Sequence, residues 1–149
     1  TSPVTGHEEV SVFPVRPIRD TFVAGYKFWE YKNRIIPLKE LADVPLICLE
    51  KNTSTRRYMD QFLKASGVLV HPEIELATSD MIVQFAKRNL GVASVVYDFA
   101  REALESGELF ELKIQKKIPE RSICIVQGSH ATLSSAAQKL IELIRENIS

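Results

Sequence analysis

A chain of 149 residues suits one domain, or one and a half small lobes, and a hydrophobic content of 45% supplies a core. Nineteen Lys and Arg balance nineteen Asp and Glu, and no basic face recurs at helical spacing, which argues against nucleic-acid binding by this piece. No apolar run approaches the roughly 18 residues of a membrane span, and no signal peptide is visible, so a cytoplasmic location is expected.

Residues 1–8 are loop-like. Residues 10–15 alternate as Val10, Val12 and either Phe13 or Val15, a strand that Pro14 and Pro17 should stop and confine to an edge or a bulge. Residues 18–24 form a second extended piece ending at Gly25. The aromatics at Tyr26, Phe28, Trp29 and Tyr31 fit neither period, which reads as a loop with an aromatic anchor. Residues 37–42 are a short helix with Pro37 near its first turn.

The apolar run Pro45-Leu46-Ile47-Cys48-Leu49 reads as a buried strand. A cluster of hydroxyls and an amide follows, Asn52-Thr53-Ser54-Thr55, and then a helix carrying Tyr58, Met59, Phe62 and Leu63 up to Gly67, suited to a C′ position. Such a helix start can hold an anion, because its first N–H groups are unpaired and the macrodipole is positive there. The plainer alternative is an ordinary N-cap at Asn52 or Thr53.

Residues 73–77 alternate as a strand with Glu73 and Glu75 on one face. Thr78-Ser79-Asp80 repeats the hydroxyl-led start, with Thr78 or Ser79 as cap, before a helix with Ile82, Val83, Phe85, Ala86 and Leu90 closed by Gly91. Residues 92–96 form a buried strand and 99–105 a short helix ending at Ser106-Gly107. Strands follow at 109–114 and 121–126. Last, Ser134 or Ser135 caps a helix with Ala137, Leu140, Ile141, Ile144 and Ile148 on its apolar face.

Strand–helix alternation with short connections implies an α/β fold with a largely parallel sheet. Ligands of such sheets sit outside the carboxyl ends of the strands, where helix starts converge. Thr53, Ser54, Thr55, Thr78 and Ser79 all fall at such ends and are the candidate ligand-binding hydroxyls.

Catalytic chemistry is poorly supplied. There is no Gly-x-Ser-x-Gly, no cysteine–histidine pair and no glycine-rich phosphate loop, so no enzyme activity and no cofactor is expected. Cys48 and Cys124 lie in apolar runs, as small core hydrophobes of a reducing compartment, and His7, His71 and His130 are scattered without ligand spacing, so no metal site is expected. Asp98 with Glu102, and Glu73 with Glu75, read as solvated faces. Arg56-Arg57 could neutralise an anion, although arginines of a first turn are usually surface.

The stretches "IPLKELADVPLICLEKNTSTRRYMDQFLKASG" (36–67) and "PEIELATSDMIVQFAKRNLGVASVVYDFAREALESGELFEL" (72–112) resemble the effector-binding region of LysR-type transcriptional regulators. The resemblance rests on the proline–leucine opening, the hydroxyl-led helix, the helix-to-strand unit and the closing Gly-x-Leu strand, in that order. The sequence departs from the family at Lys87-Arg88-Asn89-Leu90-Gly91 and at Val96-Tyr97-Asp98, changes that bear on the cleft wall. The resemblance implies a periplasmic-binding-protein-like (type 2) fold, here one complete α/β lobe plus part of a second, binding a small anionic or polar co-inducer between lobes. Residues 25–113 would be the second lobe. Residues 1–24 would be a remnant of the first lobe and a crossover, and residues 114–149 the return crossover, strand and C-terminal helix. Thr1 and Ser2 would fall where the family places a ligand-contacting hydroxyl.

By the same resemblance DNA would be touched only through an N-terminal winged helix-turn-helix domain absent here, so the chain reads as a C-terminal fragment. A solute-binding module of a transport system is the alternative with the same fold. Family dimers commonly use residues 73–77, opening at Glu73 and closing at Ala77, and residues 79–90, opening at Ser79 and closing at Leu90. The apolar faces of residues 10–15, 123–126 and the last helix would lack partners, and exposed strand edges invite pairing with another chain. The expected outcome is a dimer or larger assembly by light scattering at roughly tens of micromolar protein, where a monodisperse monomer would count against such pairing.

Overall fold

The computed structural model describes residues 10–128, with side chains described for 17–122. In chain order they form β1 (Val10–Ile18), β2 (Asp20–Ala24), a 3-10 helix (Tyr26–Tyr31), β3 (Ile35–Ile36), a second 3-10 helix (Leu38–Asp43), β4 (Leu46–Leu49) and α1 (Ser54–Ala65). There follow β5 (Ile74–Leu76), α2 (Ser79–Lys87), β6 (Val92–Val96), α3 (Tyr97–Ser106), β7 (Phe110–Glu111), β8 (Lys113–Ile114) and β9 (Arg121–Gly128). Two compact units result, one holding residues 10–18 and 120–128, the other residues 19–119. The terminal helix expected after Ser134, together with Thr1, Ser2, His7, His130 and the side chain of Cys124, lies outside the described residues.

In the smaller unit β1 runs antiparallel to β9, from Val10 opposite Gly128 to Ile18 opposite Arg121, with a register shift between Pro14 and Arg16. The prolines do not stop the strand. A proline lacks only its own N–H, and a bulge absorbs the residue that would otherwise break the ladder.

The larger unit is built on a five-stranded sheet in the order β5-β4-β6-β2-β7. β4 is parallel to both β5 and β6, whereas β2 is antiparallel to β6 and to β7, which makes the sheet mixed. Every residue of β4 and of β6 is buried, as expected of central strands covered on both faces. Alternation divides their side chains. Leu46 and Cys48 pack with Met59 and Leu63 of α1 on one face, while Ile47 and Leu49 pack with Ile82 and Val83 of α2 and Ala100 and Ala103 of α3 on the other.

Three expectations need correction. The aromatic stretch is a 3-10 helix, not a loop: Phe28 enters the core, and Trp29 meets Phe110 edge-on at 5.7 Å. A single strand over 109–114 is replaced by two, since β7 pairs with β2 and β8 pairs in parallel with β3. Between them the buried Leu112 donates its N–H to the Phe22 carbonyl at 2.9 Å. Alternation shows which residues face a core, not which sheet each belongs to. α2 also closes earlier than expected, on Asn89 in the left-handed region with φ 62°. Among the described residues, no helix is long and apolar enough to cross a membrane.

Gly91 has a different role from a helix stop. A Cβ there would lie 2.6 Å from the Pro45 carbonyl oxygen. That oxygen accepts the Val92 N–H at 2.8 Å, so the approach joins the first residues of β4 and β6. Gly91→Ala should therefore push the two strands apart and cost about 1–3 kcal/mol in denaturant unfolding, as overpacked core sites do. An unchanged midpoint and slope would show that the strands can give way.

Candidate functional site

Because β4, β5 and β6 are parallel, the helices that follow them all start on one edge of the sheet. The Glu50 N–H donates to the Leu76 carbonyl at 3.0 Å and ties the end of β4 to the end of β5. From those neighbouring ends α1 rises on one face and α2 on the other. The chain thus leaves β4 toward β5, then returns across β4 to β6, a change of direction at which open sheets of this kind commonly bind ligands.

Thr53 is the cap of α1: its Oγ1 accepts the Arg56 N–H at 3.2 Å and donates to the Glu50 carbonyl at 2.8 Å. Thr78 caps α2 by accepting the Met81 N–H at 3.3 Å. Ser54 and Thr78 are exposed, and Thr53, Thr55 and Ser79 are half-buried. The structure therefore brings all five of these hydroxyls to one edge of the sheet, with the two capping oxygens already engaged. Thr1 and Ser2, the remaining candidates, lie outside the described residues.

α3 supplies a third start on the same edge. It opens at Tyr97, two residues before the apolar pattern suggested, with Asp98 in its first turn bonded to Arg101 at 2.5 Å. The Tyr97 N–H donates to the Arg19 carbonyl at 2.8 Å, and Arg19 lies over the Tyr97 ring, 4.0 Å from its centroid. Nearby, Arg19 and Thr21 both donate to one oxygen of Glu111, at 2.6 and 2.5 Å. These groups flank a hollow of about 130 Å³ whose other walls include Lys116, Lys117 and Ile118. None of the five hydroxyls lines it.

The main surprise is Arg56. Read as surface, it is buried at 5% exposure, whereas Arg57 is exposed and bonds the Asn52 carbonyl at 3.0 Å. The Arg56 guanidinium donates to Asp60 at 3.0 Å, to Glu75 at 2.8 Å and to the Leu49 carbonyl at 2.9 Å. Burial works against its charge, but the bonds to Glu75 and Asp60 outweigh that and hold its pKa above the ordinary arginine value. Only part of this was written locally: Asp60 stands at i+4 from Arg56, whereas nothing near Arg56 in the chain points to Glu75 or to the Leu49 carbonyl.

Cys48 is buried at 4% exposure. Burial pushes its thiol up to about 11, with the positive charge of Arg56 pulling the other way, so it is a core residue and a poor nucleophile. Among the described residues, no group of three or more His, Cys, Asp or Glu side chains is placed to hold a metal.

Residues 8–149 match the family model described as the LysR substrate binding domain. The chain belongs to that family. This LysR-family domain is 25% identical over 114 residues to the HTH-type transcriptional activator CmpR of Synechocystis sp. (strain ATCC 27184 / PCC 6803 / Kazusa), covering 76% of this chain. It spans 37% of the length of that relative. Its fold is similar to the Synechocystis PCC6803 CcmR regulatory domain in complex with 2-PG, with a TM-score of 0.73, 18% identity, and coverage of 100% of this chain and 72% of that one. It is also similar to the effector binding domain of QuiR in complex with shikimate, with a TM-score of 0.69, 16% identity, and coverage of 97% and 69%. The mixed α/β architecture is that of periplasmic-binding-protein-like effector domains.

Replacing Arg56 with Met would leave the Leu49 carbonyl without its side-chain donor and separate Asp60 and Glu75 from their shared cation. Both carboxylates are partly solvated, so the expected loss is about 1–3 kcal/mol, not the larger figure for a fully buried pair. Chemical denaturation measures it, and a loss below about 0.5 kcal/mol would mean that water replaces the guanidinium without penalty.

Proposed function

We propose that this LysR-family domain senses a small anionic or polar metabolite on behalf of a larger transcriptional regulator, and that the first turns of α1 and α2 hold part of that metabolite. The observation that carries the reading is the Glu50–Leu76 bond, which joins the ends of β4 and β5 from which the two hydroxyl-led helices set out. With the Thr53 and Thr78 oxygens serving as caps, a ligand would meet the remaining first-turn N–H groups and the hydroxyls of Ser54 and Ser79, with Thr55 beside them. Thr1 and Ser2 remain candidates through the family resemblance alone.

In this reading residues 25–113 form the second lobe, to which β2 contributes a strand. Residues 1–24 and 114–149 supply the crossovers and part of the first lobe. Binding acts by favouring one of two arrangements of the lobes, which requires different affinity for each. Contact with DNA falls to a winged helix-turn-helix in the parent protein, as the naming of CmpR as an HTH-type activator suggests. The domain works in the cytoplasm, without catalysis, as part of an oligomer.

The test is a thermal-shift screen of small anionic metabolites, beginning with 2-PG and shikimate, which relatives hold. Any ligand found is then titrated by calorimetry against Ser54→Ala and Ser79→Ala, which spare both caps. Each substitution should weaken binding about 3- to 10-fold, the worth of one hydrogen bond to an anion, with the melting temperature held. Unaltered affinity in both variants would remove this edge from the site.

A further inference from the structure

A hollow of about 280 Å³ lies beside β7, away from the starts of α1 and α2. Its lining includes Trp29, Lys32, Tyr97, Leu104, Leu109 and Phe110. We propose that this hollow is a second small-molecule site and takes a single-ring aromatic carboxylate.

Size, shape and charge each narrow the choice. The volume falls at the small end of ligand pockets, which begin near ~300 Å³, so one ring fits and a nucleotide does not. The apolar part of the lining is two leucines and three aromatic rings, two of them set edge to face at 81°. Lys32 covers one face of Trp29 and Arg19 one face of Tyr97, so a flat guest would meet ring edges and the faces those cations leave uncovered. Trp29 is 52% exposed, and a guest in the hollow would take part of its ring out of water. Gly107 also lines the hollow, with φ 83°, and a Cβ built there would meet nothing within 4 Å.

The unmet charge is positive. The Lys32 ammonium sits 3.9 Å above the centre of the Trp29 ring. It enters none of the described ion pairs. Glu111, the acid in the lining, is already engaged by Arg19 and Thr21. An incoming carboxylate would therefore find a lysine held by cation–π contact and without a carboxylate partner among the described residues. This site does not rest on the sensing role of the α1 and α2 starts.

Trp29 is the sole tryptophan, so its indole N–H gives one cross-peak that reports on the hollow. Phenylacetate should shift that peak saturably, with an apparent Kd on the order of millimolar for so small a ligand. The uncharged 2-phenylacetamide should bind at least about 5-fold more weakly. Lys32→Gln should weaken phenylacetate by a similar factor, about 5-fold, and leave the amide unaffected. Four results would overturn the proposal: no saturable shift by roughly 20 mM phenylacetate, equal affinity for acid and amide, an indifferent Lys32→Gln variant, or a peak that moves with protein concentration alone, which would mean that a second copy fills the hollow. Repeating the titration on Ser54→Ala separates the two sites, since a loss there would place phenylacetate at the α1 start and overturn the second site.

Discussion

The pairing of β4 with β6 governs this fold. Both strands are buried along their whole length, so each must be covered on two faces, and neither can end without delivering the chain to a helix. Their closeness depends on Gly91, where any side chain would press on the Pro45 carbonyl. Because the strands run the same way, the helix starts are gathered on one edge as a geometric consequence of parallel pairing, independent of any ligand. The candidate site is thus inherited from the topology, and its chemistry is added by the few residues that open each helix.

Electrostatics then fix what the topology has gathered. Arg56 reaches from the first turn of α1 to the last carbonyl of β4 and to a carboxylate of β5. It therefore holds the α1 start against the strand ends that a ligand would approach. On the opposite side of the sheet edge, Arg19 and Thr21 converge on Glu111, and Arg19 also covers the ring with which α3 begins. Both clusters place an arginine between a helix start and a carboxylate from another element. An edge built in this way is set in position before any effector arrives.

Much of this was legible in the sequence, for identifiable reasons. Fully apolar runs such as Leu46–Leu49 and Val92–Val96 have no other stable setting than a covered strand, and hydroxyls ahead of an apolar period mark a helix start wherever they occur. The illegible parts depend on partners distant in sequence. Arg56 became a buried cation only because Leu49 and Glu75 come to meet it. The strand over 109–114 divided because β2 and β3 compete for its two halves. Pro14 and Pro17 are tolerated because a bulge lies beside them, and Trp29 found Phe110 across 81 positions of chain. None of these pairings leaves a periodic trace.

The coverage of the sheet is uneven in kind: one α-helix with two 3-10 segments on one face, two α-helices on the other. Short 3-10 segments have poorer hydrogen-bond geometry than α-helices, and they open at little cost. Amide protons of β4 and β6 should therefore exchange with solvent only when the whole unit unfolds, while those of Tyr26–Tyr31 and Leu38–Asp43 exchange through local fraying. On that face local opening should therefore begin in the segments flanking β3, with the inner strands as the reference against which those segments shift.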